Sequence, residues 1–352
     1  TDIMDTWFTS ASSPFLAIDK VKNPEMKKRL FPMDLRPQAH DIINFWLFYT
    51  MAKTNLLYGE NPFKNVAVSG WVLDPTGKKR SKSKGNTIVP QEVVEKFSND
   101  SLRFAASSTK LGNDIPFQDK EVQTGIKLVN KLYNANKFAS MLLDDFDSKD
   151  KKIDLDKLSS IDKWVLARCQ EVAKNADEAY ENYDYQKAKQ LWYDFFMSDL
   201  ADNYIEVVKE RLWKKGDNYK SAQKVLYYTL YNALKGLAPF VPFITEEIYQ
   251  MLYKKYEKNV SIHRASYPTY DEKLADFSII LLGEKYIEVV SSARRFKAEN
   301  QVSMKEELSR IKIFCDNNLK AFIENSLSDL KSVTSAGKIE FADGDFAVEI
   351  SK

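Results

Sequence analysis

The feature that most constrains this 352-residue chain is a change in the spacing of its apolar side chains near residue 119. Before that point they come in short runs: Asn65-Val66-Ala67-Val68-Ser69, bounded by Pro62 and Gly70, has the length and β-branched content of a buried strand. Beyond it they recur every three or four residues, as at Ile126, Val129, Leu132 and Tyr133 and again at Ala139 and Leu142, which is one face of a helix. Similar stretches run from Ile161 to Tyr180, Tyr185 to Trp213, Ser221 to Leu237 and Phe240 to Tyr256, interrupted at Asp184, Gly216 and Pro239. Long helices with short connections predict an antiparallel bundle. The acidic, lysine-rich run Asp144 to Asp156 reads as a solvated linker. The tail changes texture again, with a helix from Gly283 to Asn300, a strand Arg310 to Phe314, a helix from Leu319 to Leu330 and a strand pair turning about Gly344. The expected organisation is an α/β region over 1–118, an all-α helical domain over 119–275 and a small α+β appendix over 276–352.

Charge narrows the partners only locally. With 52 Lys+Arg against 50 Asp+Glu there is no uniform positive field, so an RNA surface has to be a patch. Cys169 and Cys315 lie far apart, and with His40 and His263 they do not make the spacing of a metal site, so no structural metal and a reducing, cytoplasmic compartment are expected. No run of 18 uncharged apolar residues is present, which argues against a membrane-bound protein. The sequence opens without Met on motif-like residues, as expected of a piece of a longer polypeptide.

The most informative residues are Lys78 to Asn86. They follow a strand and the turn Asp74-Pro75-Thr76-Gly77, and they lead through Thr87-Ile88-Val89-Pro90 to a helix starting near Gln91. Spaced lysines among serines, ending in Gly85, supply positive charge and let backbone N–H groups come close to a phosphate. Taken alone, a Lys/Ser/Gly run is equally compatible with a solvated surface turn.

In context, Lys79-Arg80-Ser81-Lys82-Ser83 followed by Lys84-Gly85-Asn86 resembles the KMSKS loop of the class I aminoacyl-tRNA synthetases, with Arg80 where the family has Met. Asp100-Ser101-Leu102-Arg103 resembles the family's D-A-L-R segment downstream. Within the Val, Ile, Leu and Met subgroup, Asp5-Thr6-Trp7-Phe8 and Asp41-Ile42-Ile43-Asn44-Phe45-Trp46 resemble segments that wall the amino-acid pocket of the valyl branch. An isoleucyl enzyme, or a non-catalytic tRNA-binding protein descended from a synthetase, are the alternatives. The resemblance implies that residues 1–118 are the C-terminal half of a Rossmann-type catalytic domain, followed by an anticodon-binding helical bundle. It further implies ATP with Mg²⁺, valine and tRNA(Val) as substrates and partners, with no DNA.

By residue, the resemblance implies Lys79 and Lys82 as catalytic, and Asp41, Gly70, Lys79, Ser81, Lys82 and Ser83 as ATP-binding. It places Trp7, Ile42 and Trp46 in the amino-acid pocket, Ile42 and Trp46 standing four apart on one helix face. Gly70 is assigned to close approach of the adenine, and His40 is either a nucleotide neighbour or a packing residue. The histidine-containing HIGH segment and the editing domain of the family are not in this sequence, so the chain alone is expected neither to activate nor to edit.

In the helical part, Asn130-Lys131-Leu132-Tyr133-Asn134-Ala135 and Tyr204 to Trp213 resemble the anticodon domain of the same subgroup. Aromatic and basic side chains side by side can stack unpaired bases and hold phosphates, which makes Lys137, Phe138, Arg211, Lys214 and Lys215 the candidates for tRNA contact. Phe138 and Trp213 read equally as bundle core, and Arg294, Arg295 and Lys297 as a basic helix face that touches RNA backbone or water.

Overall fold

The computed structural model describes residues 3–81, 85–87 and 89–352. The chain forms two compact units, one of residues 1–93 and 108–121, the other of residues 94–107 and 122–352.

In the first unit three short helices, α1 (Thr6–Ser10), α2 (Ser13–Asp19) and α3 (Pro24–Arg29), precede the strand β1 (Met33–Ala39). Their ends are set by local chemistry. The Asp5 carboxylate accepts from the Trp7 backbone N–H at 2.6 Å and starts α1. Asn23 does the same for Glu25 and Met26 with Pro24 next, and Lys27, Lys28 and Arg29 finish α3 where the helix dipole favours cations. After β1 the chain makes a 3₁₀ turn at His40–Ile42 and a π-helical turn at Ile43–Leu47 before α4 (Phe48–Tyr58), which ends on Gly59 at φ 68°. Strand β2 (Phe63–Ser69) then pairs with β1 in parallel, from Met33 opposite Phe63 to Ala39 opposite Ser69. Two short strands, β3 (Val72–Leu73) and β4 (Ile115–Pro116), pair in parallel beside the loop.

The second unit takes in α6 (Asn99–Ala106), which follows α5 (Pro90–Lys96), and then the long α7 (Asp119–Leu142). Next come α8 (Ser160–Glu181), α9 (Tyr185–Asp194), a π-helical stretch Phe195–Tyr204, α10 (Ile205–Trp213), α11 (Tyr219–Leu237) and α12 (Pro242–Ile248). The bundle expected from the apolar spacing is present, and Tyr185 to Trp213 is one continuous helix with a π segment in its middle. Large aromatics fill its core: Trp164, Trp192, Tyr204, Tyr249, Tyr253 and Tyr286 are all 2% exposed or less. Trp164 lies so close to Gly283 that a Cβ there would stand 1.9 Å from its ring.

The motif-like Asp100 and Arg103 belong to this unit. Both Asp100 carboxylate oxygens accept from backbone N–H groups at the start of α12, Phe243 at 3.1 Å and Ile244 at 2.7 Å. Arg103 donates to the Pro239 carbonyl at 3.0 Å. The segment thus caps the α11–α12 turn from a distance in sequence.

The tail consists of α13 (Ile280–Glu299), β5 (Leu308–Phe314), α14 (Asn317–Asn325), α15 (Leu327–Thr334), β6 (Ala336–Ala342) and β7 (Ala347–Ser351). The expected single helix over Leu319 to Leu330 is broken at Ser326, whose hydroxyl accepts from the Ile161 N–H at 3.1 Å. The last two strands do not pair with each other: β5 lies between them, parallel to β6 and antiparallel to β7. Leu308, Ile311 and Ile313 join the buried cluster of the helices, so the tail and the bundle share one core.

Candidate functional site

In a parallel sheet, ligands collect beyond the carboxyl ends of the strands. The register that ends at Ala39 opposite Ser69 puts His40–Asp41, which leave β1, beside Gly70–Trp71, which leave β2. The His40 and Trp71 rings stand 4.4 Å apart, and the Lys79 Nζ lies 4.0 Å from the centre of the Trp71 indole. Three segments singled out in the sequence therefore meet on Trp71, which the sequence reading had passed over. Its indole N–H is buried and has no hydrogen-bond partner among the described residues.

The loop that carries Lys79 is built on Asp74. Its carboxylate accepts from the Thr76 N–H and hydroxyl at 2.9 and 2.7 Å, the Lys78 N–H at 2.9 Å and the Asn86 amide at 2.9 Å. These bonds, the Thr76 hydroxyl foremost, hold the Asp74 carboxyl well below the usual carboxylate range. Asn86 returns the tie by accepting from the Ser81 N–H at 2.9 Å. Lys79 and Asp41 are exposed, Ser81 is half-buried, and Lys82 and Ser83 lie outside the described residues.

Gly70 lets protein backbone come close: a Cβ on it would stand 2.3 Å from the Asn113 carbonyl oxygen, and the Trp71 N–H donates to Asp114 at 2.7 Å. Ile42 ends a 3₁₀ turn and Trp46 sits in the following π turn, so the α-helical spacing expected to align them does not apply. Trp46 is 8% exposed, with the Arg36 guanidinium 3.3 Å over its ring, Phe63 at 5.7 Å and its N–H on the Ser10 carbonyl at 3.2 Å. Its ring is packing inside this unit. Trp7 is half-buried and stacks on Phe45 at 5.6 Å.

The helical unit sorts the RNA candidates. Lys137 is exposed on α7, 5.8 Å from the ring of the exposed Tyr133, while Phe138 is half-buried against the core. Lys214 and Lys215 are exposed at the end of α10 and paired with Glu210 at 2.5 Å and Asp145 at 2.9 Å. Arg211 cannot be an RNA contact. It is 8% exposed, with its Nη1 and Nη2 donating to the two Asp162 oxygens at 2.9 and 2.7 Å and Nη2 lying 3.2 Å from Asp329. Tyr204 donates to the same Asp162 at 2.7 Å. On sequence Arg211 was a candidate for tRNA contact because its partners stand far away along the chain.

Trp213, readable as core, is 65% exposed. The basic face expected on α13 is mostly spent inside the protein. Lys297 is 2% exposed and donates to the Met304 and Glu306 carbonyls, and Arg294 donates to the Asp202 carbonyl and Asn203, which leaves Arg295 exposed.

Residues 1–118 match the family model for class I tRNA synthetases (I, L, M and V), and residues 162–313 match that for the anticodon-binding domain of tRNA ligase. Along nearly its whole length the chain is similar to valine–tRNA ligases. It is 37% identical over 358 residues to that of Rickettsia felis, covering 97% of this chain and 40% of the relative. It is also 37% identical over 370 residues to that of Rickettsia prowazekii, covering 99% and 44%. The chain thus spans about two fifths of the length of the curated relatives it matches. Among solved structures, a LeuRS–tRNA–LeuAMS ternary complex from Agrobacterium radiobacter K84 matches 78% of this chain and 34% of its own, with a TM-score of 0.62 at 20% identity, which is a likeness of fold.

Proposed function

We propose that this chain carries the phosphate-loop half of the catalytic domain of a valine–tRNA ligase together with its anticodon-binding helices. The observation that carries the reading is the convergence of His40–Asp41, Gly70–Trp71 and Lys79 at the carboxyl ends of β1 and β2. In the complete enzyme the valine carboxylate attacks the α-phosphate of ATP and pyrophosphate leaves. The valyl group then passes to the 3′ end of tRNA(Val). The protein's part is positioning and charge stabilisation: Lys79 and Lys82 hold the pyrophosphate side, and Asp41 offers a carboxylate to the ribose. Trp7 is the pocket candidate left with a half-buried ring, and Trp46 is packed by Arg36 and Phe63. Mg²⁺ would accompany the nucleotide phosphates.

For tRNA, the exposed face of α7 offers Lys127, Asn130, Tyr133, Lys137 and Met141 at helical spacing, with Phe138 at its edge. An aromatic ring flanked by ammonium groups suits an unpaired base and its phosphates. Valine-dependent ATP–pyrophosphate exchange and tRNA charging by the full-length protein test the reading. Exchange stimulated more by isoleucine than by valine would overturn the substrate, and no exchange with any amino acid would overturn the activity.

A further inference from the structure

Trp71 and Lys79 are each fixed at the backbone where their side chains meet. The Trp71 N–H donates to the Asp114 carboxylate at 2.7 Å, and its carbonyl accepts from the Ile115 N–H at 2.9 Å. The close approach of Asn113 to Gly70 brings that segment alongside. Lys79 is bridged antiparallel to Leu73, and its carbonyl accepts from the Asn86 amide at 3.4 Å. Between these anchors the flexible part is the four-carbon lysine stem, whose Nζ lies 4.0 Å from the centre of the half-buried indole. His40 packs on the same indole at 4.4 Å, so the ring is held by a neighbour as well as by its backbone. The quadrupole of an aromatic ring attracts an ammonium, most strongly for Trp. That contact engages one side of the ammonium, so N–H donors directed away from the ring remain for phosphate oxygens.

We infer that Trp71 is a positioning residue: its indole seats the Lys79 ammonium at the carboxyl ends of β1 and β2, where it serves the phosphates of ATP. The inference deepens the proposed ligase reading and rests on it for its catalytic part. An ammonium on a four-carbon stem otherwise spreads over many rotamers. A partly solvated cation–π contact shifts that distribution toward the seated position by about three- to tenfold.

The test uses the full-length protein and the variants Trp71→Leu, Trp71→Phe, Lys79→Ala and the double variant Trp71→Leu with Lys79→Ala. Labelling with 5-fluorotryptophan gives a fluorine resonance that Trp71→Phe removes, which assigns it. Lys79→Ala should shift that resonance, and an unshifted resonance would overturn the seat whatever the enzyme does. In ATP–pyrophosphate exchange, Trp71→Leu should lower kcat about three- to tenfold with the KM for valine unchanged. Trp71→Phe keeps a ring face and should recover most of that loss. In the Lys79→Ala background Trp71→Leu should cost nothing further, because the group it positions is gone. An equal loss in both backgrounds, or a parental kcat in Trp71→Leu, would overturn the positioning role. If Trp71→Leu does not fold, Trp71→Met runs the same cycle. A parent without valine-dependent exchange would overturn the ligase reading and the catalytic part with it, while the resonance shift would still establish the seat.

Discussion

Arg211→Met is the substitution on which the buried charge cluster makes its sharpest demand. Methionine keeps most of the side-chain length and apolar volume but removes three donor contacts, two to Asp162 and one to Asp329. The carboxylates left behind have side chains 0% and 4% exposed, so water cannot replace the guanidinium. Removing one partner of a buried pair in this way typically costs about 3–5 kcal/mol. The cost should depend on pH in a defined direction. Burial foremost raises the Asp329 carboxyl from its ordinary 3.8 to about 6. A group that binds its proton more tightly when folded adds stability at low pH and loses it as pH climbs from 3.8 through about 6. With Arg211 gone the unpaired carboxylate should be worst above that window, so Arg211→Met should lose less stability below about pH 5 than above about pH 7. Pairing it with Asp329→Asn should recover part of the loss, since one buried charge is then absent. Urea unfolding followed by far-ultraviolet circular dichroism, which reports mainly the helical unit, measures all three variants. A loss under about 1 kcal/mol with no pH dependence is what a solvated surface arginine gives, and it would refute the burial argument.

Two further substitutions separate packing from recognition. Trp46→Ala empties a ring held by Arg36, Phe63 and the Ser10 carbonyl, and it should destabilise the protein by about 3–5 kcal/mol in thermal or urea unfolding, with any rise in the KM for valine following from that loss. Tyr133→Ala on the exposed face of α7 should leave stability nearly unchanged and weaken binding of a tRNA bearing a valine anticodon by about 1–3 kcal/mol in filter binding. Lys137→Ala should weaken it with a shallower salt dependence, and equal loss for unrelated tRNAs would leave only non-specific electrostatics.

What could be read in the sequence was whatever is written in neighbouring residues. The periodicity of α7, α8 and α11 follows from one apolar face each, and the turn at Asp74–Gly77 and the loop after it are local chemistry. What could not be read depends on partners distant along the chain. Arg211 finds Asp162 on α8 and Asp329 on α15, a pairing that no spacing within α10 announces. Lys297 looks like part of a basic stripe until the chain returns Met304 and Glu306 beneath it. The same limit hid Trp71, whose place between His40 and Lys79 exists only because β1 and β2 pair in parallel. Periodicity also does not distinguish α from π turns, which is why Ile42 and Trp46 were aligned by an α-helical spacing that the 3₁₀ and π turns there do not have. In the tail two adjacent strands look like a hairpin, but β5 supplies more buried apolar surface and takes the central place.

The central claim is that the loop Lys78–Asn86 is a phosphate clamp, and Lys82→Ala in the full-length protein addresses it most directly. An ammonium that holds the leaving pyrophosphate acts more strongly in the transition state than in the ground state, so its loss should slow valine-dependent ATP–pyrophosphate exchange by a factor of roughly 10²–10³. Thermal stability and tRNA affinity should stay close to the parental values, and Lys84→Ala, one step outside the motif core, should be much milder. Exchange at the parental rate in Lys82→Ala would contradict the account.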